Sequence, residues 1–361
     1  MSESLGVVIA GCGNIAGRYA ADIARQTHVR LVGVTDLDAA RATAFAAEHG
    51  TRAYRALEDA LADSDVAIVA NLTSHRAHVP VSTAAIKAGR HVFSEKPMAM
   101  TAEQAQALLR LADEHGVHVA AAPIVVEGEL VQTARRWVDE GRLGVVRLAW
   151  ADVNWGRIEA WHPDPIGFYE VGPLFDVGVY AVTLLTGIFG PVARVTADAH
   201  HLLPQRQTVA GEPFMIGAPD YVVASLEVEH GPVVRLTANF YVADPARQRG
   251  IELHGDAGSL WLSNWSQFDG SLEHAPWGEP FRPVPLLRVP EVPMPWAAGL
   301  DELASAIQEG REARISGRHA AHVVDVLETI RRAADQGRGL AVTSRFVRPP
   351  TPPWADDLPL V

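Results

Sequence analysis

A single cysteine, Cys12, stands in 361 residues. That excludes an internal disulfide and a zinc site built on several thiolates. Positive charge is also scarce: Lys and Arg total 31 against 43 Asp and Glu, a formal net charge of −12. A nucleic-acid or anionic-membrane surface needs clustered cations, so neither partner is expected. Any phosphate must be held by local backbone N–H groups. Long hydrophobic runs are missing too. The longest uncharged stretch, Val177 to Ala193, is interrupted by Gly187, Gly190 and Pro191, and reads as a buried core helix. The opening MSESLGVVIAG has no basic segment before its apolar run, so no signal peptide is read and a cytoplasmic location is expected.

What is present is a strong alternation. Apolar runs LGVVIAG, VRLVGVTD, SDVAIVANLT, RHVFS and VHVAAAP are separated by segments of helical period. Gly50, Gly89 and Gly116 close three of those helices, and Thr101 with Gln104 forms the opening pattern of another. Apolar strands alternating with helices predict α/β architecture with a doubly wound parallel sheet over residues 1–122. The period then changes to two. VVRLAWADVNW, VARVTADAHH, YVVASLEVEH, VVRLTANFYV, GIELHG and GSLWLS predict half-buried antiparallel strands in an α+β domain, residues 123–361. One helix is expected around 173–187 and two more near 299–310 and 319–336. Residues 276–296 are read as an ordered covering loop, and the Pro-rich end as extended and peripheral.

The first strand ends in Gly11-Cys12-Gly13-Asn14-Ile15-Ala16, a G-x-G-x-x-A turn leading into a helix read from about Asn14. The first glycine permits the tight turn, the second lets a pyrophosphate approach the backbone, and the small Ala16 lets helix and strand pack closely. The free N–H groups of the following helix then face the phosphate. Asp36 ends the next strand, where a carboxylate accepts from the ribose hydroxyls of a dinucleotide and repels a 2′-phosphate. With Leu37 uncharged and Arg41 a helical turn away, NAD is favoured over NADP.

Ligands of open parallel sheets lie beyond the carboxyl ends of the strands. Thr73, Ser74, Glu95, Lys96 and Pro97 occupy such ends. Lys96 there can donate to a substrate oxygen, and Glu95 can pair with Lys96 or with the nicotinamide amide.

The residues GCGNIAG, Asp36, AIVANLTSHRAHVPVSTAAIKAGRHVFSEKP, DEGRLGVV and GPLFDVGVY together resemble the Gfo/Idh/MocA oxidoreductases, in order along essentially the whole chain. The resemblance implies an N-terminal Rossmann domain, a C-terminal α+β domain with a large open antiparallel sheet, and NAD(P)-dependent oxidation or reduction of a sugar, cyclitol or related polyol. The implied cofactor set is Gly11, Gly13, Asn14, Ile15, Asp36, Leu72, Thr73, His78, Glu95 and Lys96. The implied catalytic set is Lys96, Asp176 and Tyr180. Tyr180 replaces the histidine usual in the family four residues after the aspartate. A phenol is a weak base at neutral pH, so a neighbouring ammonium is expected to assist it, with Asp176 orienting the substrate. A second departure is PIVVEGEL after the fifth apolar run, which lacks the family's substrate-facing arginine.

The loop EAWHPDPIGFYEVGP adds His162, Asp164 and Tyr169 as candidate substrate contacts, with His162 a second candidate proton acceptor. Trp155 and Trp161 supply apolar faces for a sugar ring. His200-His201 ends a strand without clustered carboxylates, and no metal site is read. A large sheet with one uncovered face predicts a homodimer or homotetramer formed through that face. Two other functions fit the same residues: an enzyme that oxidises transiently to cleave or eliminate a glycoside, and a non-catalytic NAD- or sugar-binding regulator.

Overall fold

The computed structural model describes residues 4–243 and 246–360. The first residues of MSESLGVVIAG and the last residue of the tail lie outside the described residues. The chain divides into two compact units, residues 1–124 with 294–324, and residues 125–293 with 325–361. The first division falls between residues 124 and 125. The return of 294–324 to the first unit was not expected.

The first unit contains β1 (Leu5–Ala10), β2 (Val29–Thr35), β3 (Arg52–Ala53), β4 (Ile68–Asn71), β5 (His91–Ser94) and β6 (Val119–Ala121). They form one parallel sheet in the order β3-β2-β1-β4-β5-β6, the doubly wound order of dinucleotide-binding folds. The central strands are largely apolar because helices cover both faces: Val7, Val8, Ile9, Ile68, Val69 and Phe93 are fully buried. The helices are α1 (Ala16–Ile23), α2 (Ala39–Glu48), α3 (Leu57–Ala62), α4 (His78–Lys87) and α5 (Ala102–His115). Thr101 caps α5 by accepting from the Gln104 N–H at 3.2 Å, and Gly116 ends it at φ 63°. Gln104 returns its carbonyl to the Met100 N–H at 3.3 Å. Helix α1 begins at Ala16, two residues later than the glycine pattern suggested.

Residues 294–324 join this unit through specific bonds. Asp301, on the helix Ala298–Glu309, accepts from the N–H groups of Thr27 and His28 at 3.1 and 2.6 Å. Asp22 accepts from the Ala297 N–H at 2.8 Å. Gly299 presses so closely on Phe93 and Ile124 that a Cβ there would lie 2.6 Å from both.

The second unit holds a nine-stranded sheet and a two-stranded ribbon. In chain order its strands are β7 (Val146–Asn154), β8 (Val192–His200), β9 (Gln205–Gln207), β10 (Pro213–Met215), β11 (Tyr221–Val228), β12 (Val233–Asn239), β13 (Gly250–Gly255), β14 (Gly258–Leu262), β15 (Leu272–Pro276), β16 (Arg282–Val284) and β17 (Leu340–Ala341). The large sheet runs β16-β15-β14-β13-β7-β12-β11-β8-β17, with β9 and β10 forming the ribbon. One pair departs from the antiparallel expectation: β12 runs parallel to β7. β8, β11 and β12 form a meander, and its last strand docks beside β7 in the same direction. A period of two is common to both pairings, so the alternation could not separate them.

A separate helix, α6 (Glu129–Asp139), precedes β7. The helix expected at 173–187 is longer and broken: it comprises α7 (Ile166–Pro173), a π turn at Leu174–Gly178, and α8 (Val179–Phe189). Gly172, at φ 76°, makes the break. Among the described residues this is the one helical stretch long and apolar enough to cross a membrane, and 83% of its most apolar window is buried inside the fold. Residues 276–296 do cover something: the Leu287 N–H bonds Thr133 Oγ1 at 3.0 Å and Arg288 Nε bonds Glu129 at 2.8 Å, both on α6. The tail is less peripheral than its composition implied. Its helical turn Pro353–Asp356 places Trp354 3.9 Å from the Arg288 guanidinium.

Burial sets a pH limit on the first unit. Burial, with His118 nearby, pushes the His91 imidazolium down to about 4. His319 is pushed down to about 3 by burial and His322. These rings fold neutral, so their contribution is present above the ordinary histidine value and is lost as pH falls toward 4. Calorimetry between pH 6.5 and 4 is expected to show a falling Tm, with a smaller fall in His91→Gln. An identical pH slope in that variant would contradict the assignment.

Candidate active site

The glycine turn is shaped by two different constraints. Gly11 has φ 97°, and a Cβ on it would sit 2.8 Å from Leu72 O and 2.9 Å from Thr73 N. It is a glycine because the backbone after β4 crosses directly against it. Gly13 is exposed, and a Cβ there would meet no protein atom within 4 Å. No protein neighbour requires the second glycine; open space above it is what a pyrophosphate needs. Ile15 is the N-cap of α1 without a side-chain cap; within the turn the Ala16 N–H donates to Gly13 O at 3.1 Å and the Arg18 N–H to Ile15 O at 3.0 Å.

Asp36 is held rigidly beside this turn. Its Oδ2 accepts from the Cys12 N–H at 2.8 Å and its Oδ1 from the Asp38 N–H at 2.9 Å. Each carboxylate oxygen keeps further acceptor capacity for a ribose hydroxyl. Arg41 is closer than its spacing suggested: its Nη1 lies 3.8 Å from Asp36 Oδ1. Cys12 is pushed up to about 11, first by burial and then by Asp36. A thiol so protonated is a filler of the turn, not a nucleophile.

The loops after β4 and β5 are cross-linked. Asn71 ends β4 fully buried, donating to His78 O at 2.9 Å and to Ser82 Oγ at 3.0 Å, and accepting from Thr73 Oγ1 at 2.6 Å. Glu95, 8% exposed, accepts from Tyr19 OH at 2.8 Å and from the Lys96 N–H at 2.9 Å. Glu95 is thus bonded within its own loop, to the backbone of Lys96. The Lys96–Pro97 peptide is cis. Tyr19 packs against Phe93 and Trp296, with ring centroids 6.1 and 5.7 Å apart. Sequence reasoning missed Tyr19, which looks like any core aromatic of an amphipathic helix. Asn71 left a clue, as a polar residue ending an apolar strand.

In the second unit, Asp176 lies in the π turn and Tyr180 one turn later in α8, both half-buried. Such widened turns recur at functional sites. The Tyr180 ring meets Trp265 edge-on at 5.7 Å. Trp265 meets Trp155 at 5.7 Å, and Trp155 meets Trp161 at 6.5 Å. Trp265 was not anticipated; it lies outside both the helix and the loop that the sequence singled out.

One expectation for the 159–173 loop changes. Tyr169 does not face outward. Its hydroxyl bonds Glu159 and accepts from Arg206 Nη1 at 2.8 Å, inside a network closed by Asp220 on Arg206 Nη2 at 2.5 Å. Burial and Glu159 hold the phenol well above its ordinary value. Tyr169 is therefore a structural residue of the loop, because a buried arginine needs those acceptors. His162 Nδ1 accepts from the Asp164 N–H at 3.1 Å. That bond fixes the ring of His162 against its own loop. Among the described residues no group of three or more His, Cys, Asp or Glu gathers as for a metal.

A doubly wound parallel sheet, a glycine turn with open space over its second glycine, and an anchored carboxylate after the next strand define a dinucleotide-binding oxidoreductase fold. Comparison with known proteins agrees. The sequence model for the Gfo/Idh/MocA oxidoreductase family with its NAD-binding Rossmann fold matches residues 5–122, and that for the family's C-terminal domain matches residues 131–261. The chain belongs to the Gfo/Idh/MocA family, and its cofactor is NAD. The 1,5-anhydro-D-fructose reductase of Ensifer adhaerens is 27% identical over 260 residues, 69% of this chain and 73% of that one. The dTDP-3,4-didehydro-2,6-dideoxy-alpha-D-glucose 3-reductase of Streptomyces violaceoruber is 28% identical over 264 residues, 72% and 73% of the two chains. In fold, the aldose-aldose oxidoreductase of Caulobacter crescentus superposes with a TM-score of 0.80 at 22% identity, covering 94% of this chain and 100% of that one.

The two glycines are expected to separate stability from binding. Gly11→Ala should lower Tm and solubility, whereas Gly13→Val should keep the wild-type Tm and lose NAD affinity by about tenfold or more, the loss expected for one steric clash at a tight anion site. Calorimetry and NAD titration of both variants check this; normal NAD affinity in Gly13→Val would contradict it. Asp36→Ala, leaving Arg41 in place, is expected to shift the Kd ratio toward NADP. An unchanged ratio would remove Asp36 from the ribose site.

Proposed function

We propose that this chain is an NAD-dependent dehydrogenase or reductase acting on a hydroxyl or ketone carbon of a sugar, cyclitol or related polyol. The observation that carries this reading is the buried Glu95 carboxylate bound to the Lys96 N–H, which fixes the lysine at the carboxyl end of β5 in the same sheet as the glycine turn. Two curated relatives are sugar reductases. Another, the levoglucosan dehydrogenase of Pseudarthrobacter phenanthrenivorans, is 23% identical. NAD, when bound, supplies or accepts the hydride.

The chain's own residues bind, orient and handle protons. The turn at Gly11 and Gly13 with Asn14 and Ile15 takes the pyrophosphate, and Asp36 takes the ribose. Leu72, Thr73 and Glu95 line the nicotinamide end. Lys96 donates to the substrate oxygen that gains or loses charge, Asp176 orients the substrate through a hydroxyl, and Tyr180 exchanges the proton. His162 adds a polar contact to the substrate and is the second candidate to take the proton. The Tyr180–Trp265–Trp155 row supports a substrate with a flat apolar face, such as a pyranose ring, since ring faces and sugar C–H groups pack well.

A homodimer or homotetramer through the large sheet is supported by a cross-strand row of half-buried side chains. Arg235, Trp150, Glu252, Trp261 and Glu273 are successive partners on one face.

Screening sugars, cyclitols and their keto forms by NADH absorbance tests the assignment. Steady NADH formation with at least one polyol is expected; NADH that never accumulates while a glycoside is cleaved would favour the transient-oxidation reading. Lys96→Ala and Tyr180→Phe are each expected to lower kcat about 10²-fold or more, the range for lost acid–base groups. Full turnover in Tyr180→Phe would remove it from proton transfer.

A further inference from the structure

Trp296 ends the Pro- and Trp-rich segment and leads into the helix Ala298–Glu309. It is half-buried, and its indole meets the Tyr19 ring edge-on, with centroids 5.7 Å apart at 67°. Arg18, the exposed residue before Tyr19 on α1, lays its guanidinium 5.1 Å from the indole centroid, an attractive cation–π contact. The backbone is fixed to the same helix: the Ala297 N–H donates to Asp22, a turn beyond Tyr19, at 2.8 Å. Further along, Gly299 packs on Phe93, another ring against Tyr19.

We propose that Trp296 is a positioning residue for the nicotinamide end of the cofactor. Its indole holds the Tyr19 phenol where the hydroxyl meets Glu95, and Glu95 in turn fixes the backbone of Lys96. The proposal rests on the nicotinamide lying at the loop after β5, as proposed above.

A tyrosine ring turns about its side-chain bonds, so its hydroxyl is only as well placed as the surfaces packed on the ring. Phe93 belongs to the fully buried core of β5, whereas Trp296 is half-buried and comes from a segment distant in sequence. With the indole removed, the phenol gains room and its 2.8 Å bond to Glu95 Oε1 loosens. A carboxylate as deeply buried as Glu95 needs its donors. It shifts to recover one, and the Lys96 backbone bonded to its other oxygen moves with it. The glycine turn stands apart from these contacts. Gly11 is set by the backbone at Leu72 and Thr73, and Asp36 by the N–H groups of Cys12 and Asp38. The adenosine and pyrophosphate part of the site is therefore expected to survive the change.

Calorimetric titration with NADH and with ADP-ribose, which is NAD without its nicotinamide, tests this without turnover. Trp296→Leu is expected to bind NADH about tenfold more weakly, the order of one lost hydrogen bond to a charged group, with ADP-ribose affinity unchanged. Tyr19→Phe, which keeps the ring and removes the hydroxyl, should show the same selective loss. The double variant should be no worse than either, because both changes act through one bond. Trp296→Phe keeps a ring against Tyr19 and should restore most of the NADH affinity. Should Trp296→Leu fold poorly, Trp296→Met, also without a ring, takes its place. Equal weakening of both ligands, no weakening of NADH, or losses that add fully in the double variant would each overturn the proposal. Wild-type protein that bound neither ligand would remove the dinucleotide reading itself, and the proposal with it.

Discussion

The buried carboxylate of Glu95 is the constraint on which the cofactor half of the molecule depends. One oxygen takes the hydroxyl of Tyr19 from α1, and the other takes the backbone N–H of Lys96. On the proposed function, helix α1 is the element whose N-terminus meets the pyrophosphate, and Lys96 is the group offered to the substrate. A single charged side chain thus keeps the two ends of the nucleotide site in register. Bonds to a buried anion are stronger than neutral ones, and losing a donor leaves charge without compensation. That stiffness is what a hydride-transfer site requires, since small errors of placement cost rate heavily.

The second unit solves a different problem. On the proposed function it offers a face for a hydroxylated ring and polar groups to orient it. The π turn brings Asp176 into a helix that is otherwise almost wholly apolar and buried, and α8 places Tyr180 against Trp265. The adjoining loop is kept in shape by Arg206, which is fully buried and satisfied by Glu159, Asp220 and Tyr169. Polar material in this region divides cleanly: the Arg206 network holds the loop, while Asp176, Tyr180 and His162 remain candidates for substrate.

Much of this was legible in the residue pattern, and the gaps have physical causes. Largely apolar strands separated by 3.6-period segments identify a covered parallel sheet, and Gly11 marks the turn because its φ of 97° and the close approach of Leu72 leave no room for a side chain. Long-range effects leave no local trace. Asp301 gives no sign that it will bond Thr27 and His28 and bring residues 294–324 back to the first unit. The parallel β7–β12 pair shares its alternation with antiparallel pairs. Arg41 approaches Asp36 because α2 begins immediately, capped by Asp38. Tyr169 fits a substrate loop by sequence, but a buried arginine elsewhere in the chain claims its hydroxyl.

The most direct measurement is a crystal structure of the protein with NAD bound. The account predicts the pyrophosphate over Gly13 at the start of α1, a ribose hydroxyl on Asp36, and the pyridine ring within reach of the Lys96 ammonium. A nicotinamide placed away from the loop after β5, with Glu95 still bound to Tyr19 and Lys96, would contradict it.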